Sequence, residues 1–162
     1  MPATVIVGAQ WGDEGKGKIV DLLARSSHVV MRYQGGNNAG HTVVNDRGEF
    51  KLHLVPCGIF NPDVSNVLGA GMVVDPDALI SEIDEFERKG ISTANLFIDT
   101  RAHVLFPYHK DLDGLLEDAA TTFKIGTTRT GIGPAYAYKA LRIGIRFEDL
   151  LTPDFLKQRL VA

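Results

Sequence analysis

The pattern of apolar and polar positions along this 162-residue chain divides it into two kinds of segment. Short runs of β-branched and other apolar residues, bounded by Gly, Asn or Asp, predict β-strands. These runs lie at residues 4–7, 28–33, 42–45, 50–54, 66–69 and 96–99. The polar residues 46–49 predict the turn of a hairpin that joins the third and fourth of these strands.

Apolar residues spaced three and four positions apart predict helices between the strands. The clearest helix has Asp75 as its N-cap and Pro76 at its first position, and Gly90 should end it. Its periodic apolar residues are Leu79, Ile80, Ile83 and Phe86.

Three further helices complete the alternation, over residues 19–24, over residues 107–119 and from residue 152 onward. In the second of them we expect Leu112, Leu115 and Leu116 to point inward. Strands that alternate with helices predict an α/β fold with a largely parallel sheet flanked by helices.

Composition narrows the function without naming it. A hydrophobic content of 44% and a charged content of 23% are those of an ordinary globular domain. A net charge of −3 gives no support to a nucleic-acid or membrane partner. The single cysteine, Cys57, excludes an internal disulfide and fits a reducing compartment, where we expect it to be a small buried hydrophobe. Because no signal peptide or spanning run is visible, we expect a cytoplasmic protein.

The most informative segment is the glycine-rich run at residues 8–18, between a predicted strand and a predicted helix. Glycines let backbone N–H groups converge on a phosphate, and a helix N-terminus adds positive potential. The run matches a standard phosphate loop as far as Lys18, but Ile19 stands where the Mg²⁺-binding hydroxyl belongs. The acids Asp13 and Glu14 suggest a metal ligand or a proton acceptor. A glycine-rich turn with solvated charges is the alternative.

Two more glycine clusters follow. The one at residues 34–42 adds the amides of Asn37 and Asn38 and the imidazole of His41 at a strand end, where α/β proteins place ligands. The other, at residues 124–136, combines glycines, threonines and an arginine, which suits phosphate or carboxylate binding or an ordered surface loop. Three cations come after it: Lys139, Arg142 and Arg146. The remaining histidines are interpreted as structural or solvated: His28, His53, His103 and His109.

Residues 8–18, 33–42 and 126–136, in this order, resemble three motifs of the adenylosuccinate synthetase family. The resemblance runs from residue 5 to about residue 150. It implies a P-loop-like nucleotide-binding architecture that is incomplete relative to the full family, because family members are much longer. Residues 1–162 are therefore expected to be the N-terminal part, which binds GTP and IMP, or else an unusually short relative of the family.

The resemblance also implies an activity, in which the family joins IMP to L-aspartate with GTP and Mg²⁺. A base removes a proton from the purine, and O6 attacks the γ-phosphate of GTP to give 6-phosphoryl-IMP. The aspartate amino group then displaces phosphate from this intermediate. Asp13 matches the general base and a metal ligand, and His41 matches the catalytic acid that stabilises the transferring phosphoryl group. The Gly40 carbonyl matches a second metal ligand, which accounts for the absent hydroxyl after Lys18.

The implied nucleotide contacts fall into two overlapping sets. The GTP set is Gly12, Asp13, Glu14, Gly15, Lys16, Gly17, Lys18, Gly40, His41 and Thr42. The IMP set is Asp13, Glu14, Gly15, Lys16, Asn38, Ala39, Gly40, His41, Thr128 and Arg142. Arg142 matches an arginine that reaches the IMP site of a partner subunit, so the resemblance implies a homodimer. The family's guanine-reading motif and aspartate loop are not found in this chain.

The chain departs from the family pattern at residues 129–130, where Arg-Thr replaces Gly-Arg, and at Tyr138, where an acid is usual. Three alternatives stay open. One is an ordinary phosphoryl-transfer enzyme, against which Ile19 counts. Another is a non-catalytic module that binds IMP or pairs with the longer enzyme, and the third is a relative that acts on a different purine nucleotide. We expect the chain by itself to be inactive.

Overall fold

The computed structural model describes residues 3–9, 15–45, 48–121 and 126–161. The helices in these ranges are α1 (Lys16–Ala24), α2 (Pro76–Arg88), α3 (Pro107–Ala119), α4 (Ile132–Ala140), α5 (Phe147–Leu150) and α6 (Pro153–Val161). The strands are β1 (Val29–Gly35), β2 (His41–Asn45), β3 (Gly48–Leu52), β4 (Ser65–Val74), β5 (Leu96–Ile98) and β6 (His103–Val104). A short 3₁₀ helix covers Cys57–Phe60. No helix among these ranges combines the length and apolar character that crossing a membrane requires.

A parallel sheet forms the centre of the fold. The long strand β4 pairs with β1 on one side and with β5 and β6 on the other, and every one of these pairings is parallel. The strands β2 and β3 form a separate antiparallel hairpin, in which His41 pairs with Leu52. The predicted α/β class with a largely parallel sheet is therefore confirmed.

One glycine sets how closely the two main strands approach. The β1–β4 register shifts between Arg32 and Gln34, so that β4 carries one extra residue there. At Gly71 on β4, any Cβ would collide with the carbonyl oxygen of Tyr33 on β1. This irregularity lies next to the C-terminal end of β1, where the second glycine cluster begins.

The main hydrophobic core lies between α2, the hairpin and one face of the sheet. Three aromatic rings form its centre, with centroids 4.9 Å apart for Phe50–Phe60, 5.7 Å for Phe50–Phe86 and 5.9 Å for Phe60–Phe86. Around them are buried aliphatic residues: Leu52, Leu54, Ile59, Leu68, Met72, Val74, Leu79 and Ile91. Cys57 is buried in the same cluster, as expected.

The helix signals in the sequence are confirmed at α2. The Asp75 carboxylate accepts hydrogen bonds from the backbone N–H groups of Asp77 and Ala78, at 3.2 and 3.4 Å. Pro76 occupies the first helical position, and Gly90 takes a left-handed conformation, with φ of 76°, beyond the C-terminus. The helix at residues 107–119 is also confirmed as α3, and the last helix as α6.

Several boundaries and two packing expectations need correction. The strand predicted at residues 66–69 extends over Ser65–Val74, because glycines inside it had masked its length. Residues 4–7 are not a strand: no described strand pairs with them, and Val5 and Val7 are 71% and 65% exposed. Leu115 and Leu116 were expected to point inward, but they are 68% and 59% exposed because no described element packs on that side of α3.

The hairpin turn predicted at residues 46–49 is described only in part, since residues 46–47 lie outside the described residues. Gly48 and Glu49 belong to β3, and the pairing of Asn45 with Gly48 closes the hairpin. The hairpin itself is confirmed.

Candidate functional site

The first two glycine clusters meet where α1 begins. Gly15 has a left-handed backbone, with φ of 76°, and the helix starts at the next residue, Lys16. Gly17, in the first turn, lies under the His41 ring so closely that a Cβ there would be 2.6 Å from His41 Cδ2. The N-terminus of an α-helix carries positive potential, so this turn is suited to an anion.

Gly12, Asp13 and Glu14, all assigned above to nucleotide contacts, lie outside the described residues. The predicted base role of Asp13 therefore stays a prediction.

His41 combines burial with an open hydrogen-bonding atom. Burial lowers the pKa of its imidazole below the usual value, and the nearby Arg32 charge lowers it further. The Nε2 atom is buried and has no hydrogen-bond partner among the described residues. A buried polar atom without a partner is rare in proteins. Its geometry therefore suits a hydrogen bond to a ligand group placed over the start of α1.

The loop between β1 and β2, residues 36–40, is exposed to solvent over its last three residues. Asn38, Ala39 and Gly40 are exposed, as is Thr42 at the start of β2. Gly36 is buried, and any Cβ on it would collide with the Ile132 side chain at the start of α4. The second cluster is thus packed against the rest of the protein at its first residue and open toward solvent at its last residues.

The third glycine cluster reaches the second through α4. The Tyr136 hydroxyl accepts a hydrogen bond from the N–H of Gly35 at 2.7 Å and donates one to the Gly71 carbonyl at 2.9 Å. Gly131 precedes α4 in a left-handed conformation, with φ of 80°, and its N–H donates to the Asp113 carboxylate at 2.9 Å. The three clusters, far apart in sequence, therefore come together at the C-terminal end of β1.

Two predicted site residues lie further out. The Thr128 hydroxyl is exposed and hydrogen-bonds the Thr130 hydroxyl at 2.8 Å. Arg142 follows the C-terminus of α4, with φ of 63°, so the nine-residue length of this helix, about 13 Å, separates it from the Gly36 contact. It lines an open cavity of about 760 Å³. The other cations on that cavity are Lys139, Arg146 and Arg159.

The two departures from the family pattern have identifiable partners. Arg129, with φ of 54°, forms an exposed ion pair with Asp118 of α3 at 2.5 Å, so its guanidinium is directed to a helix surface. Tyr138 lies edge-on to the buried His109 ring, with centroids 4.9 Å apart. Both residues contact α3, and neither contact involves the first two glycine clusters.

The described residues offer few side-chain ligands for Mg²⁺. No group of three or more His, Cys, Asp or Glu side chains that could hold a metal occurs within residues 3–9, 15–45, 48–121 and 126–161. The Gly40 carbonyl, predicted above as a ligand, is an oxygen donor of the kind that Mg²⁺ prefers, and Mg²⁺ usually retains several waters besides. A Cβ on Gly40 would lie 2.6 Å from the His53 ring, so the site is built around a glycine. A carbonyl there fits such an ion.

Sequence reasoning missed three residues that support the second cluster. Arg32 and Tyr136 hydrogen-bond to its backbone directly, and Glu82 binds the neighbouring turn at residues 53–55. Arg32 interrupts an otherwise apolar strand, and Glu82 occupies a position on α2 that lies near its buried apolar residues. A charge inside an apolar pattern is the signal that was available for these two, because a charge is rarely buried without a partner.

Comparison with known proteins identifies relatives over nearly all of the chain. A sequence model of the family described as adenylosuccinate synthetase matches residues 5–162. Adenylosuccinate synthetase of Brevibacillus brevis is 58% identical over 160 residues, which cover 99% of this chain and 37% of that relative. The chain thus spans less than two fifths of the length of this relative.

Solved structures give the same picture. The structure of fully ligated adenylosuccinate synthetase from Plasmodium falciparum matches with a TM-score of 0.83 and 41% identity, over 95% of this chain and 36% of the other. Succinoaminodeoxyadenylate synthetase of cyanophage S-2L, bound to dGMP and to dATP as an energy donor, matches with a TM-score of 0.69 and 27% identity. That match covers 88% of this chain and 39% of the other.

Proposed function

This chain belongs to the adenylosuccinate synthetase family, and we propose that residues 1–162 form the N-terminal, nucleotide-binding part of a GTP-dependent carbon–nitrogen ligase. The ligase joins IMP to L-aspartate and releases GDP, phosphate and adenylosuccinate, on the way from IMP to AMP. A cytoplasmic location fits the buried free thiol of Cys57.

One contact supports this proposal most directly, namely that of the His41 ring with Gly17. It joins the phosphate loop to the second glycine cluster, which is what a reaction between two bound nucleotides requires. The γ-phosphate of GTP lies at the start of α1, and IMP lies along the exposed residues 38–40. His41, kept neutral by burial, then donates a hydrogen bond to the phosphoryl group as negative charge develops on it.

Asp13 acts as the base in this proposal. It takes the proton from the purine so that O6 can attack the γ-phosphate, which gives 6-phosphoryl-IMP and releases GDP. The amino group of aspartate then forms a bond to C6, and phosphate leaves with O6. Asp13 and the Gly40 carbonyl would hold Mg²⁺, which would supply positive charge to the phosphates. Lys16 and Lys18, in the first turn of α1, contribute positive charge to the same phosphates.

The place of Arg142 supports a homodimer. At the far end of α4 it is separated from the second cluster of its own chain. It lines a cavity with three other cations and two acids, so cations outnumber acids there by four to two. A cluster of cations at a surface suits an anionic ligand held by a second copy of the chain. We therefore propose that Arg142 contacts the phosphate of IMP bound to the partner subunit.

The test uses the longer enzyme that contains this segment. We expect Asp13→Ala to abolish turnover with an unchanged circular dichroism spectrum, because no other group then accepts the purine proton. His41→Ala should lower kcat more than it weakens IMP binding, since the proposed hydrogen bond strengthens in the transition state. The matched control is His28→Ala, an exposed histidine that precedes β1. An Asp13→Ala enzyme with most of its kcat would remove the base role.

A second experiment tests the chain alone. Purified residues 1–162 mixed with GTP, IMP, aspartate and Mg²⁺ should give no adenylosuccinate, although calorimetry should detect IMP if the segment binds it. Steady product formation would refute inactivity.

A relative that uses another purine nucleotide is the second candidate, favoured by the likeness to the cyanophage enzyme bound to dGMP. Replacing IMP by dGMP in the assay separates the two. We expect IMP to be used, in keeping with the higher identity to adenylosuccinate synthetases.

A further inference from the structure

Two charged side chains from different elements converge on one backbone peptide behind the second glycine cluster. The Glu82 carboxylate, on α2, accepts hydrogen bonds from the N–H groups of His53, Leu54 and Val55, at 3.0, 2.9 and 3.3 Å. The Arg32 guanidinium, on β1, donates to the carbonyl oxygen of His53. The His53 residue is thus held at its N–H by an anion and at its carbonyl by a cation.

The same guanidinium also holds the start of the loop. Its second terminal nitrogen donates to the Gly36 carbonyl at 2.6 Å. Arg32 therefore joins the turn at residue 53 to the first residue of the loop at residues 36–40. A guanidinium is suited to this task, because its planar fork fixes two acceptors relative to each other, whereas an ammonium does not.

The other end of the loop also rests on residue 53. A Cβ on Gly40 would lie 2.6 Å from both Cε1 and Nδ1 of His53 and 3.2 Å from the Leu52 carbonyl oxygen. Directly after this contact, His41 pairs with Leu52 at the start of the hairpin. The loop is thus connected to the same turn at both ends, once through Arg32 and once by direct packing.

Burying the charges of Glu82 and Arg32 has a desolvation penalty that packing alone does not explain. Glu82 is 7% exposed, and burial raises the pKa of its carboxyl although three N–H groups act against the rise. Burial also lowers the pKa of Arg32, and the negative charge of Glu82 partly offsets that. A turn beside an apolar core can be held by neutral groups, and buried charges are often no more stabilising than apolar replacements. The charges are therefore better explained by the geometry they impose.

We propose that Arg32 and Glu82 are positioning residues that hold the His53 peptide from opposite sides and so fix residues 36–41, including the Gly40 carbonyl and the His41 ring. This inference rests on the proposed function, since it assumes that residues 38–41 contact the nucleotides. The effect of either residue on the reaction passes through the loop and not through contact with substrate.

The test again uses the longer enzyme, with Glu82→Gln as the main variant and Glu85→Gln, exposed on the same helix and paired with Lys89, as the matched control. Loss of a group that orients a ligand-binding group typically costs about tenfold to a hundredfold. We expect Glu82→Gln to lower kcat by at least about tenfold and to weaken calorimetric IMP binding, at a temperature well below its Tm. Glu85→Gln should change neither quantity.

A double-mutant cycle with His41→Ala separates positioning from general damage. If Glu82 acts by placing His41, the Glu82→Gln loss in kcat should be clearly smaller in the His41→Ala background than in the parent enzyme. Equal losses in both backgrounds would overturn the proposal. If His41→Ala alone leaves kcat intact, the proposed catalytic role of His41 is wrong. In that case IMP binding tests the positioning role, and unchanged IMP binding in Glu82→Gln would refute it.

A second variant covers the case in which Glu82→Gln does not fold. Arg32→Lys keeps the charge but reaches one carbonyl at a time, so we expect it to fold and to lose kcat and IMP affinity, with Arg32→Met losing more. The control is Arg88→Lys, which changes an exposed arginine of α2. Full activity in Arg32→Lys would contradict the proposal, and failure of both Glu82→Gln and Arg32→Lys to fold would show that the pair serves folding alone.

Discussion

The two faces of the central sheet differ in what covers them. On one face, Leu68 of β4 is fully buried under α2 and the three packed rings of Phe50, Phe60 and Phe86. On the other face, Met31, Val67 and Phe97 lie in one register row across three strands, and Met31 and Phe97 are 53% exposed. The described residues therefore bury one face of the sheet and leave this apolar row on the other face open.

The difference shows what an apolar residue in a sequence can and cannot indicate. Both faces carry strand residues of similar hydrophobicity, but they are not buried to the same extent. On the second face, described elements bury the C-terminal part of β4, where Val73 packs against Leu105 and against Ala135 of α4, and leave the row of Met31, Val67 and Phe97 open. Contiguous exposed apolar surface is uncommon on monomeric proteins and marks a place that another element or chain covers. Hydrophobic periodicity thus predicts which residues share a face, whereas burial depends on the rest of the assembly.

The largest expected effect comes from emptying the sealed side. Phe86→Ala removes a ring that is 2% exposed and packs on both Phe50 and Phe60, so we expect a loss of about 3–5 kcal/mol in the free energy of unfolding. Urea unfolding followed by circular dichroism measures it. A loss below about 1 kcal/mol, typical of surface positions, would contradict the assignment of this face as the main core.

Acidification should produce the next effect, through His103 at the end of the sheet. Burial first, and then the charges of Lys139 and Arg146, lower its pKa from 6.5 to about 4. Between these values the unfolded chain binds a proton that the folded chain does not. The stability contribution is therefore complete above pH 6.5 and is lost as the pH falls toward 4, with a slope of at most about 1.4 kcal/mol per pH unit from this group.

Replacing His103 by Asn isolates this contribution from those of the other histidines. We expect the unfolding free energy of His103→Asn to depend less on pH between 4 and 6.5 than that of the parent protein, as measured by urea unfolding at several pH values. Parallel curves for the two proteins would show that His103 titrates normally.

A smaller effect should follow from loosening the helix that seals the core. Asp75 caps α2 and forms an ion pair with Lys110 of α3 at 2.6 Å. We expect Asp75→Ala to cost about 0.5–2 kcal/mol for the lost cap, and Asp75→Asn, which retains one capping oxygen, to cost less. Equal losses in the two variants would indicate that the charge, and not the cap, holds α2 in place.

The sequence was sufficient for elements whose ends have local causes. Asp75, Pro76 and Gly90 act within their own turns, and the predicted limits of α2 are therefore confirmed. The inward orientation of Leu115 was wrong for the opposite reason, since an apolar helix face has no cover within the described residues. Residues 4–7 likewise have no pairing strand within the described residues, and a strand is stable only in a sheet.

The candidate site divides in the same way. The glycine clusters could be read from composition, and the topological rule for parallel sheets accounts for their meeting at the end of β1. The contacts of Arg32 and Glu82 with the His53 peptide could not be predicted from the sequence, because they join residues 21 and 29 positions apart through side chains. Pairings of this kind depend on the final packing and leave only an isolated charge in the pattern.

The smallest effect is expected on the open face, and it tests the contrast between the two faces directly. Phe97→Ser removes a ring as large as that of Phe86, but from a side chain that is already half-exposed, so the unfolding free energy should fall by only about 1 kcal/mol or less. The same substitution should reduce binding of a fluorescent hydrophobic dye, because it breaks the apolar row formed with Met31 and Val67. A loss close to that of Phe86→Ala would mean that this face is covered in solution, by a second copy of the chain or by residues outside the described ranges. Measuring the unfolding free energy at several protein concentrations would distinguish these two, since only cover by a second copy depends on concentration.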